Sequence, residues 1–82
     1  MIILYVLESI KDGKHYTGIT SSLAERLYQH NNGKNRFTKG HVPWKIIYTE
    51  TYSNWTEARQ KEKYFKTAAG RRRLQAIIDA KN

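Results

Sequence analysis

Two tyrosines, Tyr5 and Tyr16, flank a Lys11-Asp12-Gly13-Lys14 turn, and the chain downstream offers Arg26, His30 and Glu62 at helical positions where apolar residues are expected. Each of these side chains has a use in phosphate chemistry. A guanidinium can clamp phosphate oxygens through its planar fork, and a histidine one turn later can second it. A lone inward carboxylate in a basic chain suits Mg²⁺, which commonly binds one or two carboxylates together with substrate phosphates and waters. Taken singly, each residue also has an ordinary role. The tyrosines suit strand packing, Arg26 a snorkelling edge position, His30 a satisfied boundary site, and Glu62 a surface pair with Arg59, Lys61, Lys63 or Lys66.

The elements that must position these groups can be read from the pattern. Met1 to Leu7 is β-rich and apolar on both faces, as befits a central strand covered on two sides. His15 to Thr20 is also β-prone, and Asp12-Gly13 between the two runs signals a hairpin. A four-residue loop, Ile10 to Gly13, puts Tyr16 opposite Leu7 and Tyr5 opposite Gly18. The phenols then become diagonal neighbours on one face, and Gly18 is expected to leave open space beside Tyr5.

Ser22-Leu23-Ala24-Glu25 has capping-box form. A helix from Leu23 to Asn31 carries Leu23, Arg26, Leu27 and His30 on one stripe, and Asn32-Gly33 closes it. Lys34 to His41 has no periodicity and reads as a loop. A third strand runs from Trp44 to Tyr52 after Pro43. Asn54 starts a helix whose inward stripe is Trp55, Ala58, Glu62 and Phe65, with Glu57 assigned to capping. Ala69-Gly70 is expected to break that helix, and a last one, Arg71 to Ala80, buries Leu74, Ile77 and Ile78. The fold class is α+β, a small three-stranded antiparallel sheet flanked by three helices in the order β-β-α-β-α-α.

Eighty-two residues make room for a single domain, 1–82. The chain has no cysteine, which rules out a disulfide staple or thiolate metal site. No run approaches the ~20 apolar residues of a membrane span, and the N-terminus reads as a strand and not a secretory signal; a cytoplasmic location is expected. Lys+Arg 15 against Asp+Glu 7 gives a net charge of +8. The excess gathers between Lys34 and Arg73, where the only acids are Glu50, Glu57 and Glu62. Clustered cations with interleaved aromatics point to a polyanion, most often nucleic acid; an acidic membrane surface or a ribosome-type association would share the composition.

The constellation resembles the GIY-YIG nuclease family, and within it the small stand-alone branch similar to the N-terminal nuclease domain of the repair excinuclease. The first signature triplet falls on Ile3-Leu4-Tyr5 and the second on Tyr16-Thr17-Gly18. The family arginine, ten residues after the second tyrosine, falls on Arg26, and the histidine of some members on His30. The metal-binding glutamate of a Glu-Ala-(three residues)-Glu helix falls on Glu62. The chain departs at Ile3, Leu4 and Thr17. It carries Ile19 where some relatives have lysine, and it lacks a clear counterpart of the late asparagine.

The resemblance implies hydrolysis of a DNA phosphodiester with Mg²⁺ or Mn²⁺, in repair or recombination, with RNA left open. Tyr16 would be the general base. A phenol with a reference pKa near 10 needs nearby positive charge for that role, or else orients a water bound elsewhere. Glu62 would hold the metal, Arg26 would stabilise the transition state, Tyr5 would position water or phosphate, and His30 would assist. Lys34, Arg36, Lys39, Lys63, Lys66, Arg71, Arg72 and Arg73 are candidate phosphate contacts, which carry little sequence information. Structure-directed, end-directed or weakly specific cutting is therefore expected. The other class of function left open is a nucleic-acid-binding module with weak or no catalysis, acting in a larger complex. The sequence leans towards a monomer without settling the oligomeric state.

Overall fold

The computed structural model describes residues 1–81. Strands β1 (Ile2–Ser9) and β2 (His15–Thr20) are followed by helix α1 (Leu23–Asn31), a 3-10 helix (Thr38–His41), strand β3 (Trp44–Tyr52) and helices α2 (Trp55–Phe65) and α3 (Ala68–Lys81). The expected element order is obtained, and the sheet is antiparallel with β1 between β2 and β3.

The hairpin register is the one the four-residue loop requires: Leu7 pairs with Tyr16 and Tyr5 with Gly18. Gly13 takes the positive φ of 77° that closes the turn. The turn is also fastened to the far end of the basic segment. Ser9 Oγ donates to the His41 carbonyl at 2.6 Å while accepting from the Lys11 and Asp12 amides. Asp12 Oδ2 lies 2.5 Å from His41 Nδ1, and this contact first, then the Lys14 amide, holds the Asp12 carboxyl down at about 2.

Central placement explains why β1 is apolar on both faces from Ile2 to Leu7. Leu4 and Val6 pack with Phe65 of α2 and with Leu74 and Ile78 of α3. Tyr5 and Leu7 point the other way, into a second core with Trp44 and with Leu23 and Leu27 of α1. At ~25 cal/mol per Å² of buried apolar area, two small cores sharing one strand are the main source of stability in a chain of this length.

Four local expectations are corrected. Ser22 precedes α1 but makes no side-chain cap bond. Its amide instead donates to Thr20 Oγ1 at 3.0 Å, which commits the segment to a Ser/Thr turn. The 34–41 segment is not all loop, because Asn35 Oδ1 accepts from the Phe37 and Thr38 amides and starts the 3-10 helix. Trp55 does not face inward; it is 49% exposed, while its stripe neighbours Ala58 and Phe65 are buried.

Gly70 does not break a helix. Helix α3 begins at Ala68, with Thr67 Oγ1 accepting from the Gly70 amide, so Arg71, Arg72 and Arg73 lie beyond the first turn. The glycine is required by contact, since a Cβ there would lie 1.8 Å from the Tyr64 carbonyl oxygen.

Candidate active site

Tyr5 reaches the site from the middle of β1 and is 1% exposed. A Cβ on Gly18 would come within 2.5 Å of the Tyr5 hydroxyl. The expected space beside Tyr5 is thus occupied by its own phenol, and the glycine is what lets the ring lie across β2. The hydroxyl meets His30 Nε2 at 2.9 Å. His30 is fully buried, and its Nδ1 meets Thr38 Oγ1 at 2.8 Å. Thr38, also fully buried, uses its carbonyl to accept from Trp44 Nε1 at 2.9 Å. A continuous chain of polar contacts therefore runs from β1 through α1 to the 3-10 helix and on to β3.

Arg26, one turn before His30, lies beside both phenol oxygens. Contact with Tyr5 first, and then with Tyr16, keeps the guanidinium's pKa above its ordinary value. Its Nη1 donates to Gln29 Oε1 at 2.9 Å, which fixes the fork. Because a guanidinium only donates, the Tyr5 proton is directed to His30 Nε2, and the imidazole proton sits on Nδ1, facing Thr38. Burial pushes Tyr5 up to about 12, with Arg26 only partly offsetting it. Tyr5 is accordingly a neutral hydrogen-bonding group at neutral pH.

Tyr16 is half-buried on the edge strand β2. Its ring centroid lies 6.4 Å from that of Tyr5, 4.9 Å from His30 and 5.8 Å from Phe37. Lys66, the C-cap of α2, places its ammonium 5.9 Å from the Tyr16 ring centroid and 3.3 Å from Glu62 Oε2. Glu62, with 15% of its side chain exposed, is thereby tied to the same corner, and its charge is felt at Tyr5. Among the described residues no group of three or more His, Cys, Asp or Glu side chains gathers. The carboxylate present fits a hard cation completed by waters and phosphate oxygens, and does not fit an all-protein cage.

The site residues read from the sequence come together as Tyr5, Tyr16, Arg26 and His30, with Glu62 joined through Lys66. Of the candidate phosphate contacts, Lys66 and Arg71 border a groove beside Tyr16. Lys34, Arg36 and Lys39 are exposed on the segment that carries Thr38, and Lys63, Arg72 and Arg73 are exposed outside the groove. Sequence reasoning missed Gln29, Thr38 and Lys14. Gln29 could have been found three residues after Arg26 on one helix; Thr38 had no local signal.

A family model described as the GIY-YIG catalytic domain matches residues 1–75. This chain belongs to the GIY-YIG family. Similar GIY-YIG relatives include a UPF0213 protein of Streptococcus agalactiae, 38% identical over 96% of this chain and 90% of that protein. A UPF0213 protein of Clostridium perfringens is 39% identical over 90% and 80% of the two chains. The solution NMR structure of a UPF0213 protein from Bacillus halodurans superposes with a TM-score of 0.58 at 30% identity, covering 94% of this chain and 85% of the other. No helix among the described residues is long and apolar enough to cross a membrane.

The buried histidine of this GIY-YIG domain makes its stability pH-dependent. Burial first, and then the Arg26 charge, depress His30 from 6.5 to about 4. Between those values the unfolded chain binds the extra proton, so the contribution is complete above ~6.5 and is lost as pH falls towards 4. The full loss is roughly 3 kcal/mol. Urea midpoints measured from pH 7 to pH 4 should fall for the wild type and flatten in His30→Gln. The Asp12 carboxylate, held at about 2, acts only below ~4 and leaves this window clear.

Proposed function

We propose that this chain is a divalent-metal-dependent endonuclease that hydrolyses DNA phosphodiesters, structure-directed or weakly sequence-specific, and that it acts in repair or recombination. The observation that carries the reading is the gathering of Tyr5, Tyr16 and His30, with ring centroids 4.9 to 6.4 Å apart, next to Arg26 one helical turn before His30, and with Glu62 tied to the same corner through Lys66. Tyr16, the more accessible phenol, acts as the general base: its oxygen, deprotonated beside the Arg26 charge, orients the attacking water and takes its proton. Arg26 holds a non-bridging phosphate oxygen and stabilises the charge that accumulates in line. Tyr5 and His30 are positioning residues, because their polar atoms are turned inward and spent on each other, on Thr38 and on Arg26. Glu62 would hold Mg²⁺ or Mn²⁺, which when bound polarises a phosphate oxygen and eases departure of the leaving oxygen.

One observation favours the second reading, a binding module with weak or no catalysis: Lys66 already neutralises Glu62. The two are separated by incubating supercoiled, branched and single-stranded DNA with Mg²⁺ or Mn²⁺ and comparing wild type with Tyr16→Phe and Glu62→Ala. The endonuclease reading expects cutting that either substitution abolishes. If nicking is the same in all three proteins while they bind DNA with one common salt slope, the binding module wins.

A further inference from the structure

Beside Tyr16, away from the Arg26 side, a groove of about 830 Å³ opens between the β2 edge and the start of α3. Lys14, Lys66 and Arg71 border it, and no Asp or Glu lines it. Phe37 stands on its rim, 57% exposed. An exposed aromatic by itself is ordinary; this one is held in a fixed attitude. Its amide donates to Asn35 Oδ1 at 2.9 Å, and the next residue, Thr38, is buried against His30. The Phe37 ring lies 5.8 Å from Tyr16 and 5.9 Å from His41, tilted by 35° and 39° to them.

We propose that Phe37 is a base-stacking platform, and that the groove from Phe37 to Arg71 receives an unpaired stretch of nucleic-acid strand next to the phosphate held at Tyr16. The chemistry follows from the lining. A flat apolar face gains by stacking on the π-face of any base, and the three cations that border the groove suit the phosphates of the same strand. A base inside a duplex has both faces covered by its neighbours and cannot reach such a platform without being extruded. The site therefore favours single strands, flaps and branch points over intact duplex. This rests on the endonuclease reading only for the neighbourhood of Tyr16; strand binding itself is independent of cutting.

Binding is measured in EDTA, so that no cleavage occurs, by fluorescence anisotropy of labelled oligo(dT), oligo(U) and a blunt duplex. For Phe37→Ala the affinity for the unpaired strand is expected to drop roughly tenfold or more. Its duplex affinity and salt slope should be unchanged, since no phosphate contact is lost. Phe37→Trp should bind the single strand at least as well as wild type, and Arg71→Ala should lower the salt slope on the single strand by about one. A selective loss on oligo(dT), on oligo(U) or on both supports the platform, and the arm that shows it names the strand. An equal loss on the duplex, or no loss on either single strand, overturns it. The endonuclease reading fails separately, in the nicking assay.

Discussion

Tyr16→Phe is expected to lower DNA nicking by about 10²–10⁴-fold, the range over which a positioned proton-transfer group contributes, with folding and DNA affinity unchanged. The substitution removes one oxygen and keeps the ring, so the contacts with His30 at 4.9 Å and Phe37 at 5.8 Å persist. The same change at Tyr5 is not equivalent. That hydroxyl is buried against His30, and its removal strands an imidazole nitrogen in the core, which costs stability as well as rate. Single-turnover nicking with saturating enzyme, together with anisotropy in EDTA, separates the two outcomes. Glu62→Ala should match Tyr16→Phe in rate and release Lys66, which lies 3.3 Å from the carboxylate. A Tyr16→Phe protein that cuts within threefold of wild type would remove Tyr16 from the chemistry.

Gly70→Ala is expected to be the most destabilising conservative change in the chain. Alanine in a helix ordinarily gains ~0.5–1 kcal/mol over glycine, so propensity alone predicts a stabilised α3. The contact decides otherwise. The new methyl would meet the Tyr64 carbonyl oxygen at 1.8 Å and its carbon at 2.5 Å. That carbonyl cannot swing away cheaply, because it accepts from the Thr67 amide at 3.0 Å and from Thr67 Oγ1 at 2.7 Å. The junction must separate α2 from α3 and loosen Phe65, Leu74 and Ile78, at roughly 3 kcal/mol by the scale of overpacked cores. For a domain this size that lowers Tm by roughly 12–24 °C. The control is Ala69→Gly, next door and exposed, which should cost only the ~0.5–1 kcal/mol of propensity. Thermal melts of the two variants should differ several-fold in Tm shift. Equal shifts would mean that the close approach is not what selects glycine.

What could be read in the sequence was whatever local periodicity and turn chemistry decide. Asp12-Gly13 marked the hairpin, and a loop of four residues is what sets Tyr5 opposite Gly18. The stripe of Leu23, Arg26, Leu27 and His30, with Ser22 before it and Asn32-Gly33 after it, gave the extent of α1; that Arg26 belongs with the tyrosines was implied by the family resemblance. What could not be read depends on partners distant in the chain. Thr38 looks like any loop threonine until His30 is folded against it. Gly70 looks like a helix stop until the approach of Tyr64 is known. Trp55 fits the inward stripe by spacing alone, yet at the first position of α2 it stays half in solvent. The capping box at Ser22 is not made: its side chain accepts no cap bond, and its amide, the donor such a box would give to Glu25, goes to Thr20 two residues back. The family assignment needed none of these details, since the five polar positions it rests on lie on elements whose boundaries the pattern already gave.

Strand β1 serves as the common spine of both layers. Val6 and Leu7 are consecutive, both wholly buried, and look into different cores. Neither layer can therefore melt by itself: freeing α2 and α3 strips one side of the strand whose other side seats Tyr5. The protein has no expendable half that could loosen to admit a bulky substrate while the remainder stays intact. Adaptation to the shape of a bound nucleic acid must then come from the polynucleotide, or from side chains at the groove rim, and the folded backbone acts as a rigid anvil.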